Sequence, residues 1–359
     1  MKKILSILVM LFAVVALTSC SRGPVLYVLN WNEYINEDLV SAFEDEYGVR
    51  VVIDPADSNE SMYTKIKSKT TNYDIAIPSD YMVHKLYNEG LLHELNMEYL
   101  PNYVNAEFDP ILENLRDGYF ANNKNFAVPY FWGTLGVMYN TRVEGIEELV
   151  TENDWEVFFN SELTSGLKVS MYNSSRDALA VAQLHLDIDV NTKSDVDLKS
   201  VEDLLKAQNY SSWGTDDLKT FVANGNTDIA LVYSGDFFDI LYASMESEED
   251  INYDLHVPTT NNVWFDAMVI PTTSSDVVMA HNFINFMIDE DNALENAFEI
   301  GYCPTLKNVY EAISIDPDYV DLINDYPYYP GIVTEGYVYK DLGVDVYQKM
   351  EIILSNVKG

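Results

Sequence analysis

The sequence predicts an α/β protein built as two domains. Three observations carry that expectation. Strand-like and helix-like segments alternate along the chain, a pattern that favours parallel sheets covered by helices. The chain has 359 residues, and at roughly 100–200 residues per domain that length implies two. Hydrophobic residues make up 48% of it, enough to bury large cores without disulfide or metal staples.

The elements follow in order. Val25–Asn30 is an apolar, β-branched and aromatic run and reads as a buried strand. Glu37–Tyr47 places Leu39, Val40, Phe43 and Tyr47 at helical spacing, and Gly48 closes it. Val49–Ile53 is the second strand. Asn59–Lys69 is the second helix, with Asp57 and Ser58 as capping candidates. Asp74–Ile77 is the third strand, ended by Pro78, and Tyr81–Glu89 the third helix. A second block holds strands at Thr134–Tyr139, Leu167–Met171, Ile229–Tyr233 and Tyr253–Val257. Its helices are Arg176–Leu186, Leu198–Ala207, Thr215–Ala223 and Gly235–Ser244. Met268–Ile270, Val277–Met287 and Asn292–Ile300 resemble a return to the first block, and Leu342–Val357 closes the chain. The acidic stretches Glu144–Glu156 and Glu246–Asp254 read as solvated loops or helix faces.

The N-terminus stands apart from the fold. Lys2 and Lys3 precede an apolar run from Ile4 to Leu17, and Thr18 and Ser19 lead to Cys20. This is the layout of a secretory signal, too short to be a spanning helix. Leu17-Thr18-Ser19-Cys20 also resembles a bacterial lipobox, which implies a lipidated Cys20 and anchoring by two acyl chains. Residues 1–19 are then a signal peptide and residues 20–24 a lipid-anchored tether. Cys303 would be the one thiol left, a small buried residue and not a redox centre.

Composition narrows the function. Lys and Arg number 21 against 58 Asp and Glu, a formal net charge of −37. That balance argues against a nucleic-acid partner and leaves cationic partners open. Two cysteines exclude a disulfide framework. No phosphate-binding loop, dinucleotide fingerprint, HExxH or GxSxG occurs. Asp187, Asp189 and Asn191 mimic the start of a calcium loop. Thr192 stands where that loop needs Gly, and Leu198 where it needs Glu. Nothing favours an enzyme, a metal site or a cofactor.

The positive signal is where strands end. Asn30-Trp31-Asn32-Glu33-Tyr34 follows the first strand, Ser79-Asp80-Tyr81 the third, and Asp177 the strand near Met171. Tyr233-Ser234-Gly235 ends another strand, and Trp264-Phe265-Asp266 precedes one. Open α/β sheets bind ligands at the carboxyl ends of their strands. Aromatic walls with a few carboxylates suit an alkyl ammonium. Rings hold its methylenes and attract the cation, and carboxylates add charge-assisted hydrogen bonds.

These segments resemble one family. Asn30 to Tyr34, Ser58 to Lys65, Tyr73 to Tyr81, Pro129 to Thr134, Trp264 to Asp266 and Ile300 to Tyr302 look like the polyamine-binding (spermidine/putrescine) lipoproteins of bacterial ABC importers. The resemblance implies a type II periplasmic-binding-protein-like fold: two α/β lobes, a hinge and a central ligand cleft. Lobe one would be 25–133 plus 265–312, and lobe two 134–264 plus 313–359, with crossings near Gly133 and Trp264. It implies a cleft lined by Trp31, Asn32, Glu33, Tyr34, Ser79, Tyr81, Asp177, Trp264, Asp266 and Tyr302. Ser174, Tyr233 and Tyr339 stand where the family tends to carry a carboxylate, a Trp and a Gln. Glu33, Asp177 and Asp266 are expected to meet among the aromatic walls. The implied protein is a monomeric, non-enzymatic capture protein. It would be anchored outside the cytoplasmic membrane, or periplasmic, and would hand a polyamine to a membrane permease. The same fold bound to a sugar, thiamine or ferric ion, or used as a polyamine sensor, remains the alternative.

Overall fold

The computed structural model describes residues 23–120, 124–247, 250–317, 319–320, 324 and 335–359. The expected signal segment and Cys20 lie outside the described residues.

A first sheet is parallel throughout, in the order β2-β1-β3, from β1 (Val25–Asn30), β2 (Arg50–Pro55) and β3 (Ile75–Ala76). The helix between β1 and β2 runs Glu37–Tyr47 as its apolar spacing implies. The Asn36 side chain caps its start, and Gly48 ends it in the left-handed conformation at φ 65°. Ser58, not Asp57, caps the next helix, Asn59–Ser68, by accepting from the Ser61 N–H.

The second sheet is larger and mixed. Its strands are β4 (Val128–Asn140), β5 (Val169–Tyr172), β6 (Ser212–Gly214), β7 (Ile229–Tyr233), β8 (Tyr253–His256), β9 (Thr260–Met268), β10 (Cys303–Pro304) and β11 (Glu335–Tyr337). The order is β11-β9-β4-β7-β5-β6, with β8 and β10 also paired to β4. All thirteen residues of β4 are buried, and β4 pairs antiparallel with β7, β8, β9 and β10. A strand covered on both faces reads as one continuous apolar run.

Several expectations change. Trp264-Phe265-Asp266 does not precede a strand but lies inside β9, because Val263, Trp264 and Phe265 are strand formers on a fully buried stretch. Pro101 and Pro110 open helices, Pro101–Asn105 and Pro110–Phe120, where the pattern suggested none. The first helical turn tolerates proline, since its missing N–H has no partner there in any case. A helix at Lys307–Ile315 was likewise unforeseen. The acidic stretch after Glu144 forms a helix, Ile146–Asn153, that buries Ile146 and Val150 and turns its glutamates outward. Cys303 is a buried free thiol, and burial holds its pKa above the usual value.

Asp74 ties the two ends of the chain together. It is fully buried; Oδ2 accepts from the Tyr27 N–H, and Oδ1 from Ser274 Oγ and the Ser275 and Asp276 N–H groups. Removing such an acceptor leaves buried donors unsatisfied, each costing about 1–3 kcal/mol. Asp74→Ala should therefore lose at least about 3 kcal/mol of stability in urea denaturation.

Candidate functional site

The site is assembled where β9 meets both β4 and the segment after β3. Gly133 on β4 is the register partner of Trp264 on β9. Two residues on, Asp266 forms a bridge with Ser79, and the Ala267 N–H donates to the Pro78 carbonyl at 3.0 Å. This pairing sets Trp264 and Asp266 beside the start of the helix Asp80–Asn88.

Asp266 is 5% exposed. Burial pushes its carboxyl up to about 7, although Ser79 and the Tyr34 hydroxyl stand close enough to favour the charged form. Its Oδ1 makes no hydrogen bond of ordinary geometry among the described residues. Among the described residues the Trp31 and Trp264 indole nitrogens are likewise buried without a partner, and the Tyr34 hydroxyl is turned to Asp266. A buried carboxylate lacking a hydrogen-bonded cation is costly unless something supplies the charge.

Rings surround this carboxylate. Trp264 lies 5.5 Å from Tyr233 and 5.8 Å from Tyr302, and Tyr302 meets Tyr34 edge-on at 5.1 Å. Two glycines make room for them. A Cβ at Gly133 would sit 2.3 Å from Trp264 Cζ2, and one at Gly235 would sit 2.2 Å from Tyr302 Cγ.

Asp177 closes the other end. It is buried, with Oδ2 accepting from Tyr233 Oη at 2.9 Å and Oδ1 from Tyr339 Oη at 3.0 Å. Tyr339 is carried in by an irregular segment pinned by Asn191, which donates to the Val338 carbonyl and accepts from the Lys340 N–H. The Arg176 guanidinium lies over the Tyr339 ring at 3.9 Å. Asn191, the third residue of the failed calcium pattern, thus has a positioning task.

The structure brings together Tyr34, Ser79, Trp264, Asp266, Tyr302, Tyr233, Asp177 and Tyr339, while Trp31 is half-buried just past the end of β1. Tyr81 is buried against Tyr339, with its hydroxyl donating to Glu60. Glu33 and Asn32 do not join them. Both are exposed, and Glu33 has φ 49°, in the left-handed region. In burial Glu33 stands apart from Asp177 and Asp266. Ser174 is half-buried, and its hydroxyl accepts from the Asp177 N–H as a helix cap.

Two other acids take part instead. Asp236 is 2% exposed; it accepts from Tyr302 Oη at 3.0 Å and from the Tyr233 N–H at 3.2 Å, with Lys219 Nζ 3.7 Å away. Burial raises its pKa, and Lys219 opposes the rise. Its position, three residues past the strand-ending Tyr233, is that of a capping-box acid, the signal that could have marked it. Asp80 is 1% exposed, and burial drives its carboxyl up to about 8. It stood in the quoted Ser79-Asp80-Tyr81 run without being singled out. Among the described residues, no group of three or more His, Cys, Asp or Glu is set to hold a metal ion.

Two predictions follow from this geometry. Gly133→Ala should force Trp264 aside, at about 1–3 kcal/mol for overpacking, read as a changed near-ultraviolet circular dichroism spectrum. The raised acids also predict a pH trend. Between an ordinary carboxyl pKa of about 4 and the raised values, the folded protein holds protons that the unfolded chain has released. Stability contributed by Asp80 and Asp266 therefore falls as pH rises through that window. The melting temperature should drop from about pH 5.5 to about pH 8, less steeply in Asp266→Asn.

Known proteins share this architecture. The family model described as bacterial extracellular solute-binding protein matches residues 38–324. The chain is 29% identical over 319 residues to the putrescine-binding periplasmic protein SpuD of Pseudomonas aeruginosa, covering 85% of this chain and 86% of that one. A solved spermidine/putrescine ABC transporter protein of Listeria monocytogenes is 30% identical with a TM-score of 0.79, covering 94% and 99% of the two chains. The spermidine/putrescine substrate-binding protein PotD of Streptococcus pneumoniae is 30% identical with a TM-score of 0.72, at the same coverage. The family match spans residues 38–324, well over half of the chain, and the chain belongs to the bacterial extracellular solute-binding proteins.

Proposed function

We propose that this chain captures a polyamine, such as putrescine or spermidine, outside the cytoplasmic membrane and delivers it to an ABC permease without doing chemistry. One observation carries the reading: Asp266 is a buried carboxylate with an open oxygen, set beside Tyr34 and Trp264. An ammonium supplies the missing charge, and the rings take the methylenes, with each cation–π contact worth about 0.5–2 kcal/mol. The names of the relatives point to the same ligand class.

In this reading Trp31, Tyr34, Ser79, Tyr81, Asp177, Tyr233, Trp264, Asp266, Tyr302 and Tyr339 line the cleft. Asp236 joins them, and Glu33 contributes only if its turn moves. Residues 25–133 plus 265–312 form one lobe and 134–264 plus 313–359 the other, closing by a hinge. The protein is a monomer held at the membrane by a lipid on Cys20 after removal of residues 1–19.

Calorimetry with putrescine and spermidine tests the reading. Removing one partner of a buried charge pair costs about 2–5 kcal/mol, so Asp266→Asn should bind at least tenfold more weakly. The ligand needs the ionised carboxylate, while the free protein holds a proton there up to about pH 7. The ligand's amines stay charged over this range, so affinity should fall as pH drops from about 8 to about 6. Unchanged affinity in Asp266→Asn would reject the assignment.

A further inference from the structure

Asp80 stands at the edge of the site and is among the most buried acids of the protein. Its Oδ1 accepts the Tyr81 N–H at 2.5 Å, and the Phe265 N–H also faces the carboxyl. These bonds anchor the helix Asp80–Asn88 to β9. They leave Oδ2 buried with no partner among the described residues. Asp80 stands next to Asp266 because the Ser79–Asp266 bridge joins their backbones. Asp266 is the neighbouring acid that raises its pKa, and Arg176 is the charged group that opposes the rise.

Three oxygens with acceptor capacity to spare lie around Asp266: Asp266 Oδ1 and Asp80 Oδ2, which make no hydrogen bond of ordinary geometry among the described residues, and Tyr34 Oη, whose proton is directed to Asp266 and whose lone pairs stay open. A primary ammonium carries three N–H donors and no acceptor. In a dry site each donor left unmatched costs free energy, and so does each acceptor. A tertiary or quaternary ammonium has the same charge and would satisfy the rings equally, but offers one donor or none.

We propose that Asp80 is a specificity-determining residue of the amine site: its Oδ2 completes a three-acceptor seat, with Asp266 Oδ1 and Tyr34 Oη, for a primary, unalkylated ammonium. The inference rests on the polyamine reading and adds to it a demand on the ligand's end group. Asp80 thereby serves twice, anchoring backbone with one oxygen and reading the ligand with the other. The buried pair Asp80 and Asp266 also sets a proton count. Both carboxyls hold protons in the free protein near neutral pH and both must ionise beneath the ammonium.

The test compares putrescine with N,N,N′,N′-tetramethylputrescine, which has the same chain and charge but one donor at each end. Wild-type protein should prefer putrescine by at least about a hundredfold, two lost hydrogen bonds to charged groups. Asp80→Asn retains an oxygen for the Tyr81 N–H but replaces the open acceptor with a donor. It should lose at least tenfold in putrescine affinity and little for the tetramethyl analogue, so the preference narrows. Putrescine affinity unchanged in a folded Asp80→Asn protein would make Asp80 a backbone anchor only and overturn the proposal. If that variant fails to fold, calorimetry of the wild type in buffers of differing ionisation enthalpy decides. Putrescine should expel more protons than one carboxyl can hold; expulsion within the capacity of Asp266 alone overturns the proposal. A wild-type protein that binds no polyamine overturns the functional reading and this inference with it, an outcome distinct from both.

Discussion

The antiparallel pairing of β4 with β9 is the constraint on which the rest of the molecule depends. β4 is buried along its whole length and β9 along nearly all of it, so neither can slip without exposing a row of apolar side chains. Their register fixes Gly133 opposite Trp264. The end of β9 then reaches the first sheet through the bridges of Asp266 to Ser79 and Val269 to Ala76. The position of a tryptophan and a carboxylate is thus a property of sheet geometry, not of loop conformation. Sites carried on strands hold their groups more rigidly than sites carried on loops.

Electrostatics in the site follows from what compensates each acid. Asp177 is satisfied by two tyrosine hydroxyls, and Asp236 by a tyrosine, a backbone N–H and Lys219 nearby. Asp266 and Asp80 each keep an oxygen without a partner. Four buried acids therefore divide into two that are occupied with holding rings in place and two that have unspent acceptor capacity. The excess of tyrosine in the sequence, 26 residues, thus appears at the site both as wall and as hydrogen-bond donor.

Much of this was legible in the sequence, and the reasons differ by residue. Helical spacing with clear caps gave Glu37–Tyr47 its bounds, because Asn36 and Gly48 act locally. Trp31, Tyr34, Trp264 and Asp266 were visible because aromatics and acids cluster where strands turn into the cleft. Glu33 is exposed beside the buried Tyr34, a difference in burial that a motif position does not report. Asp236 and Asp80 were passed over because an acid at the first turn of a helix reads as a cap, and burial from distant segments cannot be seen in local pattern. The strand at Trp264 was placed late because its partner β4 is remote in sequence, and only the pairing shows where the strand begins.

The glycines beneath the rings have a consequence of their own. Gly133 and Gly235 are the moulds in which Trp264 and Tyr302 are cast, with less than 2.5 Å left for any added carbon. Mould and casting cannot change independently. A side chain at either glycine evicts the ring, while a smaller ring leaves a void against bare backbone that nothing nearby can fill. Descendants of this protein that acquire a different cargo have an easier path through the acids, which face open acceptor space, than through the rings. Trp264 and Tyr302 are each tied to a glycine as a single unit of inheritance.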